Sequence, residues 1–250
     1  MSDSSDWTSP TTGIWAALGH PATTAALAVD GIDWICLDAQ HGAFDDRAML
    51  ETLTLLRALP QRRVTTLVRV AAARDELIGR ALDGGADGVI VPMVSSAGEA
   101  LECVTAAFYP PIGRRSWGPM HASAPTPNEA NDRMFVAAMV ETAAALDEVA
   151  AIAATPHLGM VFVGPFDLAL ALGFDVDEMV DDLGEHSPLQ RVVGACHAAG
   201  IAAGVFGGTP ERARRLRRHG FDAVSVSTDD GVVTAGAAAA VRAAAVPREL

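Results

Sequence analysis

Residues 81–92, ALDGGADGVIVP, contain the pattern that decides the fold. A helix-like segment ends at a pair of glycines, and an apolar strand-like run over residues 88–92 follows directly. The same passage from helix to strand recurs at AAG, residues 198–200, and at HGFD, residues 219–222. Strands that are apolar throughout and alternate with helices are typical of a parallel sheet buried on both faces.

Strand-like and helix-like segments alternate along the whole chain, and eight strands are predicted. Eight βα units within 250 residues is the size of a (β/α)8 barrel, and this count argues against an open doubly wound sheet. We therefore predict one barrel domain over residues 13–250, preceded by a flexible tail over residues 1–12. The predicted strands are 14–18, 34–38, 65–70, 88–92, 134–141, 159–164, 201–206 and 223–227. The main predicted helices are 46–59, 74–83, 96–108, 142–153, 188–199, 209–219 and 229–245. Two long excursions are predicted, 109–133 and 174–186.

The chain contains no lysine, so all 18 of its basic residues are arginine. A Schiff-base aldolase, a pyridoxal-phosphate enzyme and a Walker-type phosphate loop each require a lysine amine. These three classes are therefore excluded. Any carbanion chemistry in this protein must depend on a metal ion, or on arginine and backbone dipoles.

Net charge and hydropathy narrow the choice of partners. A net charge of −13 argues against nucleic acid, because phosphate binding needs concentrated positive charge. Residues 1–12 have neither a basic start nor an apolar core, so they do not read as a signal peptide. No apolar stretch reaches membrane-spanning length without glycine, proline or charge. We therefore expect a cytoplasmic protein that binds small molecules, not nucleic acid or membrane.

Charged or titratable side chains stand at the ends of several predicted strands. These are Asp38, Arg69, Glu141 and Asp167, and His41 follows Asp38 in the next turn. The carboxyl ends of parallel barrel strands converge on one rim, where barrel enzymes hold their active sites. We therefore expect these five residues to form one site.

Asp38 and His41 have the spacing of a carboxylate and the imidazole that it orients. At this spacing the carboxylate can accept from one ring nitrogen, fix the tautomer and make the other nitrogen more basic. This predicts His41 as a general base with Asp38 as its partner. The alternative is that His41 is an ordinary capping or surface residue.

Glu141 and Asp167 end strands that are neighbours in a barrel, so their carboxylates are predicted to approach each other. Two carboxylates with no Cys or His between them suit a hard divalent cation, completed by water and a chelating substrate. The alternative is that each acid caps the helix that follows it.

The turn Gly164-Pro165-Phe166-Asp167 adds a carboxylate-binding element. A helix that begins there leaves the backbone N–H groups of Phe166 and Asp167 at the positive end of its dipole, where they can hold a substrate carboxylate. Arg69 then supplies a fixed cation for a developing enolate oxygen. The alternative for Arg69 is a salt bridge with a neighbouring acid.

Seven stretches of the sequence form a recognisable set. In chain order they are DWICLDAQHG, LVRV, ALDGGADGVIVPMV, YPPIGRRSWGP, VETAAALDEVAAI, VFVGPFDLALALG and GFDAVSVSTD. In combination these stretches resemble the HpcH/HpaI aldolase family of metal-dependent, class II pyruvate aldolases, such as 4-hydroxy-2-oxoheptanedioate aldolase, and the resemblance extends from about Ile14 to Asp229.

The resemblance implies a fold, a reaction and a set of roles. The fold is a (β/α)8 TIM barrel of the phosphoenolpyruvate/pyruvate-domain type. The reaction is the reversible cleavage of a 4-hydroxy-2-oxo acid into pyruvate, or a related 2-oxo acid, and an aldehyde through a metal-stabilised enolate. His41 is implied as the base, or as the residue that positions a basic water, with Asp38 as its partner. Arg69 is implied on the pyruvate oxygen, and Glu141 with Asp167 on the cation, which is Mg²⁺, Mn²⁺ or Co²⁺.

The resemblance also implies a carboxylate site and an assembly. Backbone N–H groups at Phe166 and Asp167, within the turn from Gly164 through Pro165, are implied to hold the pyruvate carboxylate. A homo-oligomer is implied, either a hexamer or a trimer of dimers, in which the C-terminal helix packs on a neighbouring subunit.

Three residues depart from the family pattern. Gln40 stands where many members have Glu, Met139 where Gln is common, and Phe166 where Ser is common. Met139 removes a polar contact near the metal or substrate, and Phe166 reshapes the pocket, so the substrate range is the least determined property. Two other functions are weighed: a CoA-ester lyase of the citrate-lyase type, and a catalytically silent barrel that acts as a scaffold.

Overall fold

The computed structural model describes residue 7 and residues 9–59, 64–121 and 124–245. In this part of the chain eight parallel strands close into a barrel in chain order, and the last strand pairs with the first. The predicted (β/α)8 barrel is therefore confirmed. The strands are β1 (Thr11–Ala16), β2 (Trp34–Asp38), β3 (Thr65–Arg69), β4 (Gly88–Val91), β5 (Phe135–Val140), β6 (Met160–Val163), β7 (Ala202–Phe206) and β8 (Ala223–Thr228).

Helices follow the strands and cover the outside of the barrel. They are α1 (Pro21–Ala26), α2 (Asp46–Arg57), α3 (Asp75–Gly84), α4 (Ala97–Ala107), α5 (Pro127–Arg133), α6 (Ala143–Asp147), α7 (Val149–Ala153), α8 (Pro165–Leu172), α9 (Val176–Asp181), α10 (Pro188–Ala199), α11 (Pro210–Arg217) and α12 (Asp229–Ala244). The predicted helix over 142–153 is two helices, because the backbone at Glu148 leaves the helical conformation with ψ of 2°. The predicted excursions each contain a short helix, α5 in the first and α9 in the second.

The barrel begins two residues earlier than predicted. Thr11 and Thr12 belong to β1 because they pair with Ala223 and Val224 of β8. Most of the predicted tail, residues 1–6 and residue 8, lies outside the described residues. Trp7 is described, and its ring stacks on Phe135 with the centroids 4.6 Å apart.

The two faces of the strands build two separate apolar layers, because successive strand residues point to opposite sides. The outward layer packs against the helices and is mostly aliphatic. The inward layer fills the barrel and includes Trp34, Met160 and Phe162, all fully buried. A Cβ on Gly13 would lie 2.2 Å from the Trp34 ring, so glycine is the residue that leaves room for this indole.

The same alternation explains why polar residues meet at the C-terminal rim. The inward-facing residues Cys36, Leu67 and Met139 belong to the apolar filling. Each of these residues is followed two positions later by a charged residue, namely Asp38, Arg69 and Glu141. Because strand residues two positions apart share a face, these three side chains also point towards the barrel axis, at the C-terminal rim. The register also pairs Asp38 directly with Arg69 across β2 and β3.

Within the described residues, no helix has the length and apolar character that crossing a membrane requires. The predicted cytoplasmic location stays a prediction.

Candidate active site

Asp38 and Arg69 form a buried, bidentate ion pair at the rim. Arg69 Nε donates to Asp38 Oδ1 at 2.9 Å, and Nη2 donates to Oδ2 at 2.6 Å. Trp15 Nε1 donates to the same Oδ2 at 3.1 Å. The Arg69 guanidinium also lies over the Trp15 ring, 5.1 Å from its centroid. Arg69 is thus held in one orientation by its two hydrogen bonds to Asp38 and by the face of the Trp15 ring.

The carboxylate of Asp38 does not orient the His41 ring, and this part of the prediction is wrong. Asp38 Oδ1 accepts from the backbone N–H groups of Gln40 at 3.0 Å and His41 at 3.1 Å. Arg69 and Trp15 occupy the rest of the carboxylate. Within the described part of the chain the His41 ring makes no hydrogen bond, and His41 is exposed. Asp38 therefore shapes the turn that carries His41 and leaves its ring open to the mouth of the barrel.

The surroundings of Asp38 keep it ionised. Burial on its own would raise the pKa of this carboxyl, but hydrogen bonds and charge from Arg69 outweigh the burial and lower the pKa. The backbone N–H of His41 and the indole of Trp15 lower it further. A carboxylate that is stabilised by several donors is a structural anchor and does not act as a proton carrier near neutral pH.

Glu141 differs from Asp38, because its carboxylate is buried without an ion pair to any described residue. Glu141 is only 4% exposed. Glu141 Oε1 accepts from the backbone N–H of Met93 at 2.7 Å. Burial raises the pKa of Glu141, and the nearby Asp167 carboxylate raises it too, although the Met93 bond and the charges of Arg69 and His41 lower it. Asp167, Arg69 and His41 thus all lie close enough to Glu141 for their charges to act on its carboxyl group.

Met93 is a site residue that the sequence reasoning missed. It lies two residues after the end of β4 and adopts a left-handed backbone with φ of 60°, which is unfavourable for a side chain of this type. This conformation turns its N–H group towards Glu141. Strained backbone of this kind concentrates at functional sites. No feature of the residue type points to such a role, since only the backbone acts.

Asp167 stands in the first turn of α8, next to Glu141. Gly164 is the N-cap of this helix, and a Cβ there would lie 2.8 Å from Glu141 Oε2, so glycine lets the carboxylate approach the turn. The first N–H of this turn to bond within the helix belongs to Leu168, which donates to Gly164 O at 3.0 Å. The N–H groups of Phe166 and Asp167 have no partner in the described residues, as a carboxylate-binding turn requires.

Neither acid serves as the helix cap that was the alternative interpretation. The N-cap of α6 is Thr142, whose side chain accepts from Ala145 N. The N-cap of α8 is Gly164, which offers no side chain at all. Glu141 and Asp167 are therefore free of the N-cap role, although Asp167 lies in the first turn of α8, where the helix dipole favours an acid.

The donor set at Glu141 and Asp167 fits a hard divalent cation. Among the described residues no group of three or more His, Cys, Asp or Glu side chains is arranged to hold a metal ion. The protein would thus contribute two carboxylates, and water or substrate oxygens would complete the coordination. A buried carboxylate without a counter-charge is costly, and a bound cation would remove that cost.

A row of aromatic side chains extends from Arg69 to the start of α8. The ring centroid of Phe206 lies 5.4 Å from that of Trp15 and 6.2 Å from that of Phe166. Phe166 is 45% exposed and forms the outer end of this wall. The guanidinium of Arg212, which the sequence reasoning did not connect with the site, lies 4.9 Å above the Phe166 ring. The contacts of Phe206 with Trp15 and Phe166, and of Arg212 with Phe166, join residues that are distant in sequence and adjacent only in the folded barrel.

Two of the departures from the family pattern also lie in this region. Met139 is 1% exposed, and its Sδ accepts weakly from Arg69 Nη1 at 3.9 Å. Gln40 has a buried Oε1 with no hydrogen-bond partner among the described residues. The Met139 contact leaves Arg69 Nη1 without a strong acceptor, so this nitrogen is available to a substrate oxygen.

Sequence relationships agree with the class that the fold defines, a (β/α)8 barrel with its polar site at the C-terminal rim. The profile of the HpcH/HpaI aldolase/citrate lyase family matches residues 11–236. Because this match covers most of the 250 residues, the chain belongs to the HpcH/HpaI aldolase/citrate lyase family.

Named relatives and a solved structure are similar over nearly the whole chain. A hydroxypyruvate/pyruvate aldolase of Paraburkholderia phytofirmans is 34% identical over 234 residues, covering 89% of this chain and 88% of the relative. A 4-hydroxy-2-oxovalerate aldolase of Rhodococcus jostii is 36% identical over 229 residues, covering 87% and 84%. The crystal structure of an HpcH/HpaI aldolase/citrate lyase family protein from Burkholderia cenocepacia superposes with a TM-score of 0.84 at 31% identity, covering 94% of this chain and 95% of that one.

Proposed function

We propose that this protein is a divalent-metal-dependent aldolase, a carbon–carbon lyase that cleaves a 4-hydroxy-2-oxo acid reversibly to pyruvate, or a related 2-oxo acid, and an aldehyde. The observation that carries the proposal is the contrast at the rim between an unpaired buried carboxylate, Glu141 with Asp167 beside it, and an arginine locked in place at Arg69. The aldolase names of the relatives agree with it.

Each side chain has a defined task in this reaction. Glu141 and Asp167 would hold the cation, which when bound polarises the 2-oxo group and makes the adjacent carbon more acidic. The free N–H groups of Phe166 and Asp167 bind the substrate carboxylate at the positive end of α8. Arg69 Nη1, which has only a weak contact with Met139, faces the oxygen that gains negative charge as the enolate forms.

His41 is assigned the proton transfer. Cleavage removes the proton of the 4-hydroxyl group, breaks the C3–C4 bond and returns a proton to C3 of the enolate to give pyruvate, and addition follows the same steps in reverse. The exposed His41 ring has no hydrogen-bond partner among the described residues, so either nitrogen can take a proton from substrate or from a water that it holds. Asp38 contributes indirectly, because it fixes the His41 backbone and the Arg69 side chain.

We also propose that the protein is a homo-oligomer, a hexamer or a trimer of dimers. Helix α12 has 16 residues, and within it only Asp229 is buried. Val233 and Val241 are 51% and 72% exposed on this helix. An apolar helix of this length that lacks cover in its own subunit favours packing against a neighbouring copy. Light scattering on the wild-type protein and on Val241→Asp measures the oligomer and its weakening.

The experiment that tests the reaction uses the protein freed of metal by chelation. Pyruvate release from 4-hydroxy-2-oxovalerate is followed by a coupled dehydrogenase, and exchange of the pyruvate methyl protons in D₂O is followed by NMR. We expect both activities to disappear on chelation and to return with Mg²⁺, Mn²⁺ or Co²⁺. We expect Glu141→Gln to abolish the return.

Three outcomes would contradict the proposal. Full activity after complete chelation would rule out the role of Glu141 and Asp167. Faster cleavage of a citryl-type CoA ester would identify a CoA-ester lyase instead. Absence of proton exchange with every cation would indicate a catalytically silent barrel.

A further inference from the structure

Asp229, the first residue of α12, is a fully buried carboxylate to which the proposed reaction assigns no task. Its exposed fraction is 0%. Its Oδ1 accepts from the backbone N–H of Ala17 at 2.9 Å and from that of Asp230 at 3.0 Å. Its Oδ2 accepts from the backbone N–H of Leu18 at 2.9 Å. Because a carboxylate without water needs such donors, these bonds fasten the start of α12 to the residues that follow β1.

The residues that Asp229 holds belong to the connection between β1 and α1, residues 17–20, which we call the β1 turn. This turn lies at the C-terminal rim, since β1 ends at Ala16. The carbonyl oxygen of Ala17 accepts from the backbone N–H of Ala43 at 2.7 Å. Ala43 belongs to the connection between β2 and α2, residues 39–45, which we call the His41 loop. The β1 turn is thus hydrogen-bonded to α12 on one side and to the His41 loop on the other.

Two glycines allow the β1 turn and the His41 loop to approach each other closely. A Cβ on Gly19 would lie 2.3 Å from the carbonyl oxygen of Ala43. A Cβ on Gly42 would lie 3.0 Å from the Cα of Ala17. Backbone meets backbone at both contacts, so a shift of the β1 turn displaces the His41 loop.

His41 is therefore held from both ends of its loop. At the end next to β2, Asp38 accepts from the backbone N–H groups of Gln40 and His41. At the end next to α2, the β1 turn holds Ala43, and Asp229 holds the β1 turn. The exposed His41 ring has no hydrogen-bond partner among the described residues. Its position consequently follows from the backbone that carries it.

We propose that Asp229 is a positioning residue for His41. The inference rests on the proposed aldolase function and extends it to a residue that, having no exposed surface, does not itself touch the substrate. Asp229 fixes the β1 turn, the β1 turn fixes the end of the His41 loop, and this loop sets the distance between the imidazole and the 4-hydroxyl group. A displacement of about 1 Å at a reacting group can lower a rate by about 100-fold.

The experiment compares Asp229→Ala with Asp222→Ala, since these two buried carboxylates flank opposite ends of β8. Asp222 lies at the N-terminal end, where its Oδ2 accepts from Ala203 N at 2.8 Å and lies 3.0 Å from His197 Nε2. Hydrogen exchange, followed by mass spectrometry on a peptide that covers residues 39–45, measures the opening of the His41 loop. We expect exchange in this peptide to be about 3- to 10-fold faster in Asp229→Ala, the factor for loss of about one hydrogen bond. Asp222→Ala should leave it unchanged, even if both variants have lower melting temperatures.

Pyruvate release from 4-hydroxy-2-oxovalerate by the metal-loaded protein gives a second measurement. We expect kcat of Asp229→Ala to fall by about 10- to 100-fold, because the proton-transfer group is displaced. The KM should change by less than about threefold, since the cation site and the carboxylate site lie on β5 and α8 and are kept. Asp222→Ala should keep the wild-type kcat.

Gly19→Ala and Gly31→Ala repeat the comparison without removing a carboxylate. Both glycines have positive φ, 68° and 88°, so alanine is strained at either position. Only the Cβ at position 19 meets the His41 loop, whereas a Cβ at position 31 has no described atom within 4 Å. Gly19→Ala should therefore reproduce the faster exchange and the lower kcat, and Gly31→Ala should not.

Unchanged exchange of residues 39–45 in Asp229→Ala and Gly19→Ala overturns the proposal. An equal change in the Asp222→Ala and Gly31→Ala controls also overturns it, because the effect would then be general destabilisation. Faster exchange with a wild-type kcat would show that the β1 turn holds the loop without positioning His41 for the reaction, which contradicts the proposal as well. Wild-type protein that releases no pyruvate with any cation would instead refute the aldolase function, and the exchange comparison would still show whether Asp229 holds the His41 loop.

Discussion

The two sides of the barrel mouth handle charge in opposite ways. On one side, Asp38 and Arg69 are buried together, with a bidentate pair, an indole donor and two backbone donors satisfying the carboxylate. On the other side, Glu141 is buried beside Asp167 with one backbone donor and no ion pair among the described residues. The surroundings on the paired side lower the pKa of Asp38, whereas the surroundings on the unpaired side raise the pKa of Glu141.

This difference separates residues that hold the site from residues that are prepared for a ligand. A fully satisfied buried pair is rigid, and removing either partner is strongly destabilising. A buried carboxylate without a partner lowers stability until something binds to it. The paired side therefore fixes the geometry, and the unpaired side carries the capacity for a cation.

The largest effect on stability is expected from Arg69→Met, which leaves the Asp38 carboxylate buried without its cation. We expect the free energy of unfolding at pH 7 to fall by about 3–5 kcal/mol, as measured by urea denaturation. Arg80→Met is the matched control, since the exposed Arg80–Asp46 pair should contribute about 0–1 kcal/mol. Equal losses in the two variants would show that the Asp38–Arg69 pair is not a special anchor.

The loss in Arg69→Met should also depend on pH. The pKa of Asp38 is lowered in the folded protein, so its contribution is complete above the unfolded value of about 3.9. It is lost as the pH falls through the lowered pKa. Without Arg69 the burial of Asp38 raises the pKa of this carboxyl, so the difference between wild type and Arg69→Met should narrow as the pH falls between the two folded-state pKa values and be smallest below the lowered one.

An intermediate effect with the opposite sign is expected from Glu141→Gln in metal-free protein. The neutral amide keeps an acceptor for Met93 N–H and removes the unpaired charge, so the unfolding free energy at pH 7 should rise by roughly 1–3 kcal/mol. Thermal unfolding with and without Mn²⁺ measures this, and added Mn²⁺ should stabilise the wild-type protein more than the variant. A destabilised metal-free variant would mean that the folded protein stabilises the ionised Glu141 carboxylate, contrary to this prediction.

The gain in Glu141→Gln has a defined pH dependence. Because the folded protein raises the pKa of Glu141, ionisation costs stability above the unfolded value of about 4.3. The cost grows as the pH rises through the raised pKa. The gain in the variant should therefore vanish near pH 4 and be complete well above the raised pKa.

The smallest effect on stability is expected from His41→Ala, because the exposed ring has no hydrogen-bond partner among the described residues. The unfolding free energy should change by less than about 0.5 kcal/mol. Pyruvate release should nevertheless fall by about 100- to 10,000-fold, the usual contribution of a general acid or base. Activity within about tenfold of wild type would remove His41 from the proton transfer.

The sequence predicted much of this architecture because its signals are local. The β2 strand begins and ends at the predicted residues, and each end of β3 to β8 lies within one residue of its predicted position, whereas β1 begins three residues and ends two residues earlier than predicted. The positions of the three acids and the arginine in the fold were predictable because a residue at the end of an apolar run shows its position directly. Asp38, Arg69, Glu141 and Asp167 lie at the predicted rim for this reason.

The partners of these residues were not predictable in the same way. Asp38 was assigned to the His41 ring from spacing alone, yet the carboxylate turns to Arg69, which is 31 positions away. Met93 acts through a backbone N–H, for which its side chain gives no indication. Arg212 reaches Phe166 only because α8 and α11 begin at the same rim.

By itself, then, the sequence determined the number of strands, the absence of lysine chemistry and the residues that stand at the strand ends. Only the tertiary structure decided which of those charges are neutralised by one another and which are left for a ligand. The physical reason is that apolar periodicity is written in neighbouring residues, whereas the pairing of buried charges depends on distances between strands that only closure of the barrel sets.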